Sequence, residues 1–183
     1  MRSILHGVSV SVFLILLSPW EDAHAGEPLK VGDIAPDFSL QAATKDSILK
    51  NPVSLSGYRG HSNVILAFYP ADWSGGCTKE MCTMRDNFGE LGSLNAAVLG
   101  ISGDYVFSHR EWATHLGLPF LLLSDHNHSV AQNYGSYNDR SGYNLRTVYV
   151  VGKDGRIAYI DDAYAPGSED SFKHLSDALN SLH

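Results

Sequence analysis

The chain has 183 residues, of which 44% are hydrophobic and 18% charged, with 13 basic against 20 acidic side chains and two cysteines. That balance is too apolar for a disordered tail, and two cysteines are too few for a disulfide-built mini-domain. A formal charge of −7 offers no basic footprint for nucleic acid or an anionic membrane, and the length is that of one domain able to bury a core without staples.

The first 25 residues differ from the rest. Met1-Arg2 gives a short positive start, Val8 to Leu17 is an apolar run, and Ala23-His24-Ala25 supplies the small-x-small pattern at which signal peptidase cuts. The expectation is a signal peptide over 1–25 and one domain over 26–183. A span needs roughly 20 apolar residues, about twice this run, so no membrane insertion is expected after processing. The product reads as exported, to the periplasm if the source is bacterial and to the secretory pathway or an organelle lumen otherwise.

Apolar runs bounded by turn residues predict strands at Val64–Phe68, Val98–Ile101, Phe120–Leu123 and Thr147–Val151. Lys153-Asp154-Gly155 then turns into a further strand at Ile157–Ile160, which makes a hairpin. Helical stretches are expected from Thr78 to about Leu91, from Ser108 to about Leu116 and from Ser129 to Tyr134. A last helix is expected over Ser171–Leu182, with Ser108 and Ser171 as N-caps. Alternating strands and helices predict a three-layer α/β domain, and the late hairpin makes its central sheet mixed.

The segment from Phe68 to Arg85 carries the chemistry. A strand ends, a loop rich in Pro and Gly crosses its C-terminal end, and a helix begins near Cys77. A thiol there meets free N–H groups and the positive end of the helix dipole, which favour the thiolate. Gly75 and Gly76 allow close approach of a small substrate to the backbone, and Ser74 can aim its hydroxyl at the same point.

Pro70, Ser74 and Cys77 fit the P-x-x-x-(T/S)-x-x-C signature, and here the sequence resembles the peroxiredoxins, thiol peroxidases on a thioredoxin-like fold. Further segments agree in order: Val31–Leu40 looks like the family's opening strand, Ser102-Gly103-Asp104 like its post-strand turn, and Leu118–Asp125 and the strand after Arg146 follow. The resemblance covers the chain from about residue 30 to the C-terminus. It implies that Cys77 attacks the peroxide and becomes a sulfenic acid, with Ser74 bonding the thiolate and the incoming peroxide and Pro70 shielding the thiolate from water. Arg146 would stabilise the thiolate and polarise the peroxide, Glu80 would orient Arg146, and Trp73 would form a wall of the pocket. Arg140 stands as a second candidate for the arginine, and Arg85 as either surface charge or a partner of Glu80.

Cys82 follows Cys77 by five residues, the spacing of the subgroup named for the bacterioferritin comigratory protein, whose members use the second thiol to resolve the first. Five residues along a helix separate Cα atoms by roughly 8–9 Å, whereas a disulfide needs less than about 7 Å. The helix must therefore open before Cys82 can reach Cys77. A one-cysteine enzyme resolved by an external thiol remains open at this point, as does a thioredoxin-fold thiol-disulfide oxidoreductase. A non-enzymatic copper-binding thioredoxin-fold protein is the third alternative. Expected partners are a hydroperoxide and a thioredoxin-like dithiol reductant. No cofactor or metal is implied, and His126 and His128 read as solvated loop residues. Monomer is the expected state, with a dimer left open.

Overall fold

The computed structural model describes residues 28–182, so the expected signal peptide over 1–25 and its boundary lie outside the described residues. A seven-stranded mixed sheet forms the middle layer. Its strands are β1 (Ser39–Ala43), β2 (Val53–Ser54), β3 (Asn63–Phe68), β4 (Ala96–Ser102), β5 (Leu121–Ser124), β8 (Thr147–Val151) and β9 (Ile157–Asp161), in the order β2-β1-β5-β4-β3-β8-β9. Strands β3, β4 and β5 run parallel, while β8 and β9 return antiparallel beside β3. The expected hairpin at Lys153–Gly155 is present, with the Gly152 amide donating to the Arg156 carbonyl at 2.8 Å.

Every residue of β3 is buried, as an apolar run in a two-sided sheet requires. Ile65 and Ala67 face one core, filled by Met81 and Met84 of helix α1 (Gly75–Asp86), Leu91 of α2 (Phe88–Ser93), Trp112 of α3 (Val106–Leu116), and Leu175 and Leu179 of α5 (Glu169–Asn180). Val64, Leu66 and Phe68 face the other, against Phe38, Leu55, Tyr149 and Val130 of α4 (Ser129–Asn133). These two layers on a mixed sheet are the thioredoxin-like α/β fold. Among the described residues no helix is long and apolar enough to cross a membrane.

The boundaries differ from expectation where side chains found other partners. The stretch expected as one helix from Thr78 to Leu91 breaks at Asn87, whose side-chain amide donates to the Thr83 carbonyl. Helix α3 starts two residues before Ser108 and is preceded by Tyr105, because the Ser108 hydroxyl is spent on Asp72 rather than on a cap. Ser168, not Ser171, caps α5, accepting from the Ser171 amide at 3.3 Å. Of the expected opening strand Val31–Leu40 only Ser39 and Leu40 belong to β1, and Ile34 makes an isolated bridge to Arg156. Beyond Tyr134 the chain forms a small hairpin of β6 (Tyr137–Asn138) and β7 (Tyr143–Asn144), with exposed Arg140 in its connection.

Candidate active site

The sheet register brings the site together. Phe68, the last residue of β3, pairs with Thr147, the first of β8, so the loop after β3 and the residue before β8 emerge at one end of the sheet. Pro70 opens that loop and Arg146 immediately precedes β8. Helix α1 begins at Gly75 with Ser74 as its N-cap, the Ser74 hydroxyl accepting from the Cys77 amide at 3.4 Å. The cap satisfies one of the free amides of the first turn and fixes Cys77 within it. Cys77, Glu80, Met81 and Met84 recur at helical spacing and form the buried stripe of α1.

Arg146 reaches across this stripe. One guanidinium nitrogen donates to Cys77 Sγ at 3.5 Å and the other makes an ion pair with the Glu80 carboxylate. A Cβ at Gly76 would lie 3.2 Å from the same Arg146 nitrogen, so the absence of a side chain there is what lets the guanidinium come so close. No such crowding surrounds Gly75. Burial of Arg146 opposes its charge, but Glu80 and Cys77 outweigh it and hold the guanidinium's pKa above the ordinary value. Glu80 is fully buried, and desolvation raises its carboxyl to about 7 despite the opposing pull of Arg146.

The structure brings Ser74, Gly76, Cys77, Glu80 and Arg146 together and separates other candidates. Arg140 sits in the β6–β7 connection, which removes it as the arginine facing Cys77. Arg85 pairs with Asp86 and donates to the Leu116 carbonyl, so it is no partner of Glu80. Trp73 is 54% exposed, donates to the Ser108 hydroxyl and stacks on His115, so its contacts are with α3. Its φ of 62° is left-handed, a strained value for a bulky residue and one common at functional loops. Pro70 lines a cavity of about 110 Å³ with Ala71, Gly103, Asp104, His128 and Tyr143, while a groove of about 490 Å³ between α1, α2 and α5 contains none of the candidates.

His126 stacks on Tyr105, and His128 bonds the Asn144 side chain at 2.8 Å. Among the described residues no cluster of three or more His, Cys, Asp or Glu side chains is placed to hold a metal ion. Cys82 is half-buried, and both thiols are free.

Sequence reasoning missed the polar cluster beneath the loop. The carboxylate of buried Asp72 accepts from the Tyr69 hydroxyl at 2.8 Å and the Ser108 hydroxyl at 2.7 Å, and meets His109 Nδ1 at 3.0 Å. His109 Nε2 faces the Leu123 carbonyl at 3.1 Å, which can only accept, so this nitrogen carries a proton. The Asp72 amide donates to Asp104, which also accepts from Ser102. Nothing local links Asp72 to a histidine 37 positions away; the one available signal was an acid placed inside the Pro70–Cys77 motif.

Fold and site together define a thioredoxin-like protein with one buried, arginine-faced thiol at a helix start. Residues 31–160 match the model of the AhpC/TSA family, and the chain belongs to that family. It is 39% identical over 150 residues to peroxiredoxin Q, chloroplastic, of Triticum aestivum, covering 81% of this chain and 64% of that protein. The chain thus spans just under two thirds of that relative's length. It is 36% identical over 156 residues to alkyl hydroperoxide reductase E of Mycobacterium bovis, covering 84% of this chain and 98% of that one. Among solved structures, peroxidoxin BcpB of Mycobacterium tuberculosis superposes with a TM-score of 0.75 at 28% identity, covering 85% of this chain and 99% of its own.

Proposed function

We propose that the chain is a thiol-dependent peroxidase for hydrogen peroxide and organic hydroperoxides, with Cys77 as the attacking thiol. The observation that carries this reading is the Arg146 guanidinium, held by Glu80 and aimed at the buried Cys77 sulfur from 3.5 Å. The thiolate attacks the near peroxide oxygen and the O–O bond breaks. Its electron pair leaves on the far oxygen, which takes a proton and departs as water or alcohol, and the sulfur is oxidised to a sulfenic acid. Arg146 offers N–H donors to the oxygens as charge grows on them, which stabilises the transition state electrostatically. Ser74 orders the first turn, and Pro70 limits water at the thiolate.

Cys82 then attacks the sulfenic sulfur, water leaves, and a Cys77–Cys82 disulfide forms that a thioredoxin-like dithiol protein reduces. Both cysteines lie on one continuous helix, so α1 opens locally for this step. Exposed Gly75 and Gly76 support opening from the N-terminal end, since these two residues carry no side chains whose packing would be lost. The peroxidase names of the relatives support the substrate class. The N-terminal pattern supports export and a mature chain beginning at Gly26, and the Cys77–Cys82 spacing of the subgroup supports a monomer over a dimer; N-terminal sequencing and sedimentation of the native protein would check the two.

Stopped-flow Trp fluorescence of the reduced protein mixed with hydrogen peroxide tests the chemistry. A fast peroxide-dependent phase that disappears in Cys77→Ser is expected, and a rate no greater than that of free cysteine thiolate overturns the reading. Mass spectrometry of the oxidised protein is expected to find the Cys77–Cys82 disulfide. A sulfenic or sulfinic product without it assigns resolution to an external thiol.

A further inference from the structure

Among the described residues three buried side-chain polar atoms have no hydrogen-bond partner, and two of them lie in the same region: Glu80 Oε1 and the Tyr164 hydroxyl. Tyr164 follows β9, is 2% exposed, and packs in the same apolar cluster as Cys77 and Met81. Its loop lies directly on α1, where a Cβ on Gly167 would come within 2.1 Å of the Lys79 side chain. Burial first, and the charge of Glu80 second, raise the Tyr164 phenol well above its usual pKa, so it keeps its proton and can donate. Glu80 has spent Oε2 on Arg146 and has Oε1 left to accept.

Buried polar atoms are nearly always satisfied. A buried donor without an acceptor and a buried acceptor without a donor in one region are both satisfied by a single bridging water. We infer that Tyr164 is a positioning residue of the peroxide site: its hydroxyl donates to one bound water that in turn donates to Glu80 Oε1, and so holds the Glu80–Arg146 pair in the arrangement that faces Cys77. The inference rests on the reading of Cys77, Glu80 and Arg146 given above. The groups acting electrostatically on Glu80 and Tyr164 are Arg146 from the start of β8, Asp161 from the end of β9, and Tyr159, whose hydroxyl donates to Asp161 at 3.4 Å. Asp161 pushes the Glu80 carboxyl in the same direction as burial, so a water donor held by Tyr164 opposes both.

The test is the rate of peroxide reaction of the reduced protein across pH for the native chain, Tyr164→Phe, Glu80→Gln and the double variant. Glu80→Gln is expected to lose one acid limb, which identifies that limb as the one set by Glu80. Tyr164→Phe, which removes only the hydroxyl, is expected to move this limb upward by about one pH unit and to leave the alkaline plateau in place. At pH 7 the rate then falls roughly fivefold. In the Glu80→Gln background Tyr164→Phe is expected to change nothing further. An unmoved limb in Tyr164→Phe, a loss of rate equal at all pH values, or an equal effect in the Glu80→Gln background overturns the role of Tyr164 while leaving the Cys77 chemistry standing. A Glu80→Gln variant with the native rate and profile overturns the reading of Glu80 on which the proposal rests.

Discussion

Two buried polar clusters flank the Pro70–Cys77 segment, and they are built differently. Under the loop, the Asp72 carboxylate takes donors from Tyr69 and Ser108 and meets His109, and none of the buried side-chain nitrogens or oxygens of that cluster lacks a partner. Beside α1, Glu80 and Arg146 form one ion pair, with a carboxylate oxygen and a nearby phenol unpaired. A fully satisfied network in a low-dielectric interior is rigid, because any displacement breaks several bonds at once. An under-satisfied one has a charge state that its neighbours can shift. The first cluster clamps the loop, and the second leaves the charge next to the sulfur adjustable.

The largest effect expected from breaking this contrast is on the clamp. Asp72→Ala leaves Tyr69, Ser108 and His109 facing a void and is expected to cost about 3–5 kcal/mol in urea unfolding, as loss of one partner of a buried pair does. A loss no larger than that of a surface substitution would place the rigidity elsewhere. Next comes the adjustable cluster. With its carboxyl at about 7 instead of 4.5, folded Glu80 keeps a proton that the unfolded chain releases between those values. Its contribution to stability is therefore greatest below the lower value and falls as pH rises through the upper one, by about 3 kcal/mol. Glu80→Gln is expected to flatten that decline, and unfolding midpoints at pH 5 and pH 8 that change in parallel for both proteins would contradict it. The smallest effect sits between the clusters: Ser74→Ala removes the α1 cap and is expected to cost about 1 kcal/mol, read from the same unfolding curves. A midpoint equal to the native one would make the 3.4 Å contact energetically silent.

The interior strands were legible because an apolar run such as Val64–Phe68 has few other uses. The thiol at a helix start was legible because Ser74 and Cys77 lie three residues apart, the reach of a cap. The pairing of Arg146 with Glu80 followed from resemblance and is present in the geometry. The short β2, β6 and β7 strands were missed because two residues carry no periodicity, and β1 was placed too early, over Val31–Leu40, because its half-exposed SLQAA has no continuous apolar run. Ser108 was misread as a cap because a serine before an apolar stretch has the same local appearance whether its hydroxyl serves the helix or a carboxylate 36 residues earlier. Tyr164 and Glu80 are brought into one region only by tertiary folding, 84 positions apart, and no local pattern announces them.

The pairing of Phe68 with Thr147 has one more consequence. The separation between the arginine and the sulfur is inherited from a ladder of backbone hydrogen bonds between β3 and β8, not from any contact the two side chains choose for themselves. A slip of one residue would carry Arg146 about 3.3 Å along the sheet and turn its side chain to the opposite face. Faithful strand alignment is therefore a condition for chemistry as well as for folding, and a chain that folded with β8 one step out of place would be compact, well packed on one side and unable to reach its own thiol.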